Sequence, residues 1–165
     1  MRNNDTGASL RRGPRCARFA SMTTHSVLRN IDHVALAVRD LDAAIALYES
    51  AYGASVVHRE EVAHDGVAEA LIRVADSYIQ LLTPTREDSP VARFLAERGE
   101  GLHHVAYRVD DCAAALAQAA AEGLRLIDTT PRRGSRGTLI GFVHPKGNLG
   151  ALVEFVEEGA DPTHG

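Results

Sequence analysis

The chain repeats itself. Ile31-Asp32-His33-Val34-Ala35-Leu36-Ala37-Val38-Arg39-Asp40 matches Leu102-His103-His104-Val105-Ala106-Tyr107-Arg108-Val109-Asp110-Asp111, with His33 and His104 superposed at an offset of 71 residues. Self-similarity of this kind constrains the fold to two like modules. Each copy is followed by an Ala-rich helical pattern closed by glycine, from Asp40 to Gly53 in the first and from Asp110 or Asp111 to Gly123 in the second. Asp as N-cap and Gly just past the last turn are the expected punctuation. Strand-like runs then follow at 56–60, 68–74 and 77–82, and again at 124–127, 138–144 and 151–156. Each half therefore reads β-α-β-β-β. Between them, Ser89-Pro90 opens a short helix with Pro in its first turn. The expected fold class is α+β with two tandem βαβββ modules, at 29–84 and 101–158. A connecting helix within 85–100 joins them, and tails occupy 1–28 and 159–165.

Alternation along a strand sorts the side chains. His33, Ala35 and Ala37 share one face of the first strand, and His104, Ala106 and Arg108 share one face of its repeat. The opposite faces carry Val34, Leu36 and Val38, and Val105, Tyr107 and Val109, bulky enough to pack on the helices. The histidine faces are lined partly by small residues and leave room for a ligand. The last strands of the two halves place one polar residue each among apolar neighbours, Gln80 in Tyr78-Ile79-Gln80-Leu81-Leu82 and Glu154 in Leu152-Val153-Glu154-Phe155-Val156. Their offset of 74 nearly equals that of the histidines, so they occupy nearly equivalent repeat positions.

A carboxylate inside so apolar a strand is costly to bury unless it is paired, protonated or bound to a metal. Two His, one carboxylate and one amide oxygen suit a single divalent cation of intermediate hardness per chain, Co, Mn, Ni, Zn or Fe. The absence of Cys from the set argues against a closed structural zinc site. Taken singly, each residue has a plainer reading: a strand His as a hydrogen-bonded core residue, Gln80 as an edge residue, Glu154 as the partner of an arginine such as Arg108. Four polar residues at matched repeat positions favour coordination.

Composition removes several classes of function. Residues 1–29 hold six Arg and one acid, Asp5; the rest holds 12 basic and 21 acidic residues, a balance of −9 that disfavours nucleic acid as a partner. No apolar run approaches the roughly 18–20 residues of a membrane span. Cys16 and Cys112 show no disulfide or zinc-knuckle spacing. The Arg-rich start reads as a dispensable, disordered tail of a cytoplasmic protein, or as a transit peptide to the mitochondrial matrix.

Ile-Asp-His-Val-Ala, Ile-Gln-Leu-Leu-Thr-Pro, Gly-Leu-His-His-Val-Ala, Pro-Arg-Arg-Gly-Ser, Val-His-Pro-Lys-Gly and Leu-Val-Glu-Phe, in this order and spacing, resemble the methylmalonyl-CoA epimerase family of the vicinal oxygen chelate superfamily. The likeness covers about residues 29–157. It implies paired modules forming a cupped mixed sheet around a metal, an acyl-CoA thioester as substrate, and a homodimer. It places the metal ligands on His33, Gln80, His104 and Glu154, and the acid/base pair on Glu69 and Glu154, the latter doubling as ligand. Without the resemblance, Glu69 reads as a solvated strand carboxylate.

The implied reaction removes an α-proton flanked by a thioester and a carboxylate and returns one to the opposite face. Arg132, Arg133 and Arg136, around Gly134 and Ser135, form a basic loop that would meet the phosphates of CoA or be a solvated turn. His144 and Lys146 are open between turn structure and substrate contact, and His58, His64 and His103 read as surface or supporting residues. Within the same superfamily the competing readings are a glyoxalase-like lyase, which uses two acidic ligands, and an extradiol dioxygenase, which needs no Gln80. Outside enzymes, the competitor is a metal-free small-molecule-binding protein.

Overall fold

A computed structural model describes residues 26–159. The expectations for 1–25 and 160–165 lie outside the described residues. The chain runs β1 (Leu28–Ala37), α1 (Leu41–Tyr52), β2 (Val56–Val62), β3 (Val67–Val74), β4 (Ser77–Pro84), α2 (Pro90–Arg98), β5 (Gly101–Val109), α3 (Cys112–Ala121), β6 (Arg132–Arg133), β7 (Leu139–Val143) and β8 (Val153–Glu157). The helices start where side chains can cap them: Asp40, Ser89 and Asp111 each accept a backbone N–H three residues on. Gly53 ends α1 in the left-handed region, φ 64°, which glycine enters without steric penalty.

All eight strands form one mixed sheet in the order β2-β3-β4-β1-β5-β8-β7-β6. Read outward from the centre, the first half runs β1, β4, β3, β2 and the second β5, β8, β7, β6, so the sequence repeat is a spatial repeat. β1 lies parallel to β4 and β5 parallel to β8, while β1 and β5 are antiparallel and join the halves. The sheet curls into a half-barrel.

One side of the sheet is covered by helices. Leu36 and Val38 of the first repeat segment pack with Ala70, Ile72 and Leu81 against Ala44, Ile45 and Tyr48 of α1. Val109, Val143 and Phe155 pack against Cys112, Ala115, Leu116 and Ala119 of α3. The bulky strand faces thus meet helices, as alternation predicts. Gly141 on β7 permits the second contact. A Cβ there would stand 2.6 Å from Leu116 Cδ1, whose side chain is fully buried. Gly141→Ala is expected to destabilise the fold by about 1–3 kcal/mol, the usual cost of overpacking a filled core. A lower denaturant midpoint with unchanged m-value checks it.

One expected strand is corrected. Residues 124–127 form no strand; Leu126 makes a single bridge to Val143, and the outer strand of the second half is β6. Leu124 and Leu126 pack onto the α3 cluster, and the Asp128 carboxylate takes the Phe142 N–H. The segment spends its apolar side chains on the helix and joins the edge of β7 through the Ile127 and Asp128 N–H groups, which donate to Phe142 O, and the His144 N–H, which donates to Arg125 O.

Candidate metal centre

The strand register assembles the site around two alanines. Across β1 and β5, His33 is paired with Ala106 and Ala35 with His104. Beside them in the parallel ladders, Gln80 is paired with Ala35 and Glu154 with Ala106. Ala35 and Ala106 are fully buried, and their small side chains leave space for the two imidazoles. The four polar residues are thereby related by the local two-fold that relates the halves.

His33, His104 and Glu154 converge. His33 Nε2 lies 3.1 Å from His104 Nε2, and Glu154 Oε2 is 3.0 Å from the first and 3.1 Å from the second. All three residues are buried. Their donor atoms are two imidazole nitrogens and a carboxylate oxygen, the chemistry of an intermediate divalent cation. Burial pulls the His33 pKa down, but the Asp32 and Glu154 carboxylates outweigh it and raise it to about 9. His104 is driven down by burial and by its neighbour His33, against Glu154. Burial would raise Glu154; the two imidazoles lower it instead, to about 2. Gln80 is buried beside them, its Oε1 without a partner. An orphaned buried acceptor next to three converging donors fits a cation better than it fits a closed hydrogen-bond network.

Asp32 supports the cluster and is the residue that sequence reasoning missed. It is completely buried, and its Oδ1 lies 2.8 Å from His33 Nδ1. With the His33 Nδ1–H donating there, Nε2 is left to face Glu154 and His104. Arg108 and Arg136 donate to Asp32 at 2.9 and 2.7 Å. Despite the penalty of burial, His33 and the arginines hold Asp32 well below the usual carboxylate range. Strict alternation assigns Asp32 to the face opposite His33. The β1–β5 register shifts between Ile31 and His33, and this bulge redirects it. A carboxylate immediately before a strand histidine was the available signal.

Glu69 is not the solvated carboxylate that its residues alone suggested. It is 2% exposed, accepts a 2.6 Å hydrogen bond from Gln80 Nε2, and has its other oxygen unpartnered. Burial raises its pKa, opposed by Ser135, His33 and Gln80. Glu69, Glu154 and both histidines line one cavity of about 170 Å³, whose walls include Val67, Leu82, Ile140 and Phe142.

Arg108 does not pair with Glu154; it bridges Asp32 and Glu158. Two of the three arginines of the basic loop are held in ion pairs. Arg132 is paired with Asp65 and Asp128, and Arg136 with Asp32, so the loop ties the two halves together. His144 stabilises its own turn, accepting the Lys146 N–H. His103 is half-buried against His104, its Nδ1 2.8 Å from that of His104.

Residues 32–142 match the model of the glyoxalase/bleomycin resistance protein/dioxygenase superfamily, and the chain belongs to that family. Its similar proteins include several epimerases. The chain is 37% identical over 130 residues to the ethylmalonyl-CoA/methylmalonyl-CoA epimerase of Cereibacter sphaeroides, covering 78% of this chain and 97% of that one. A solved methylmalonyl-CoA epimerase in complex with methylmalonyl-CoA and NH4+ is 44% identical, with a TM-score of 0.78 over 81% of this chain and 96% of the other. The methylmalonyl-CoA epimerase of Mycobacterium tuberculosis is 39% identical, with a TM-score of 0.79 over 85% and 95% of the two chains.

Proposed function

We propose that this protein is a metal-dependent epimerase that interconverts (2R)- and (2S)-methylmalonyl-CoA by α-proton transfer. The observation that carries the reading is a pair of buried carboxylates, Glu69 and Glu154, in one cavity with the His33–His104 cluster between their strands. Their environments push their pKa values apart, Glu69 upward and Glu154 downward. Two carboxyl groups in such unlike surroundings can serve as acid and base. An epimerase requires such a pair, since one group must take a proton from one face while another supplies one to the opposite face.

His33, His104, Glu154 and Gln80 are the residues that would hold the divalent cation. When bound, it supplies Lewis-acid stabilisation of the negative charge that develops on the thioester oxygen. The remaining work falls to the chain itself. Glu154, held ionised, takes the α-proton on its side of the cavity. Glu69, which burial inclines toward its protonated form, delivers a proton from the other side, and the reverse reaction exchanges the roles. Gln80 orients Glu69 through its amide N–H. The apolar walls exclude water from the deprotonated carbon. A second groove shares Pro90, His103, His104 and Leu152 with the cavity and runs past exposed Arg93 and Arg98 of α2, a route for the long CoA arm.

Elemental analysis of the purified protein, followed by product analysis with methylmalonyl-CoA, with methylglyoxal plus glutathione, and with catechols, tests the reading. Epimerisation alone is expected; turnover of either other substrate would redirect it. Asp32→Asn is expected to weaken metal affinity by about 10–100-fold, the usual cost of losing a carboxylate that orients a ligating histidine. Competitive titration with a metallochromic chelator measures the loss.

A further inference from the structure

Glu69 has a supply problem. In an epimerisation that takes a proton onto Glu154 and delivers one from Glu69, the enzyme ends with Glu69 ionised and Glu154 protonated. Before the next turnover in the same direction, Glu69 must regain a proton and Glu154 must lose one. Glu69 is 2% exposed and has one oxygen occupied by Gln80, so it does not meet bulk water directly.

The neighbouring edge strand offers a connection. Glu60 on β2 is the direct cross-strand partner of Glu69 on β3, which places both on one face of the sheet. His58, two residues earlier on β2, shares that face. Its Nε2 lies 3.0 Å from Glu60 Oε2, and the same oxygen accepts the Arg136 backbone N–H at 3.1 Å. The donor atoms of His58, Glu60 and Glu69 all lie within 4.8 Å of one another. That span is covered by a small carboxyl rotation or one bridging water. The side chains of His58 and Glu60 are 35% and 37% exposed, so the row runs from solvent to a buried acid.

We propose that His58 and Glu60 form a proton relay that recharges Glu69 between turnovers. The proposal rests on the functional reading above. The His58 imidazolium passes its N–H proton to the Glu60 carboxylate. Glu60 passes a proton to the unpartnered oxygen of Glu69, and neutral His58 takes a new proton from the buffer. One proton enters by this route for each one that Glu154 releases, and no bond other than O–H and N–H is made or broken. The Arg136 N–H fixes Glu60 in place for the transfer.

The test separates recharging from folding and from substrate capture. Steps that restore free enzyme limit kcat but lie outside kcat/KM. Glu60→Gln keeps the shape and hydrogen bonds of Glu60 but cannot carry the proton. It is expected to lower kcat by at least about tenfold, within the range of lost acid–base function, with kcat/KM and metal content unchanged. Glu60→Ala should show the same loss and regain kcat when formate is added; Glu60→Asp should retain most of it. Unchanged kcat in Glu60→Gln would overturn the relay. So would kcat and kcat/KM falling together without formate rescue, which marks a structural role. Wild-type protein assayed in parallel keeps the two claims apart. An inactive, metal-loaded wild type would remove the functional reading and the relay with it, whereas an active wild type beside an unaffected Glu60→Gln removes the relay alone.

Discussion

His104→Ala is expected to cost the protein both its metal ion and its epimerase activity while leaving the fold in place. The ring supplies one of only two nitrogens in the cluster, 3.1 Å from the other and from Glu154 Oε2. Its removal leaves a cation with one imidazole, one carboxylate and one amide, and leaves Glu154 buried with half its former partners. Metal affinity should fall by more than about 100-fold, beyond the range seen when only a supporting residue is lost. Ala at this position faces the cavity rather than the helix-covered core, so stability should change far less than binding. Metal stoichiometry after gel filtration, a far-ultraviolet spectrum and an epimerase assay on one sample check all three expectations. A metal-free variant of full activity would refute the site.

Glu69→Gln is expected to separate metal binding from chemistry. Gln is nearly isosteric with Glu, and its amide oxygen can still accept the Gln80 N–H. What it loses is the capacity to carry a proton at the one buried carboxyl that lies in the cavity apart from the His33–His104–Glu154 cluster. Metal content and substrate affinity should be unchanged, while epimerisation falls by about 10²–10⁴-fold, the usual contribution of a positioned acid or base. Incorporation of solvent deuterium at the α-carbon should collapse with it. Retained epimerisation would remove Glu69 from the acid/base pair and leave the metal centre standing.

The sequence made the two histidines legible because duplication leaves a mark that burial and packing do not erase. An offset shared by His33 and His104, and nearly by Gln80 and Glu154, translates into positions related by the local two-fold between β1 and β5. Glu154 was visible for an energetic reason, since an apolar strand does not hold a carboxylate without a partner. Glu69 had no such signal. Val67-Ala68-Glu69-Ala70-Leu71 looks like an ordinary half-exposed strand, and its burial depends on β2 and β4 closing on either side; only family resemblance marked it. Asp32 was hidden by a bulge, because strict alternation sends it to the wrong face. The strand expected at 124–127 shrinks to one bridge, Leu126 to Val143, beside a few backbone hydrogen bonds, while Leu124 and Leu126 lie partly buried against α3. β6 is two residues long and has no periodicity to read.

No helix among the described residues is long and apolar enough to cross a membrane. Arg132 and Arg136 of the basic loop are taken up by Asp65, Asp128 and Asp32, and Arg108 by Asp32 and Glu158. Their role is to hold the two halves and the His33 support in register around the cavity.

The central claim, a metal-dependent proton transfer at the α-carbon, is tested most directly by incubating (2S)-methylmalonyl-CoA in D2O with metal-loaded protein and with protein stripped by a chelator. Mass and stereochemistry of the thioester are followed together. One deuterium at the α-carbon and approach to an equal mixture of epimers are expected with the metal-loaded protein, neither with the stripped protein, and both again on adding back the ion. Metal-loaded protein that leaves both the mass and the stereochemistry of the thioester unchanged would contradict the claim.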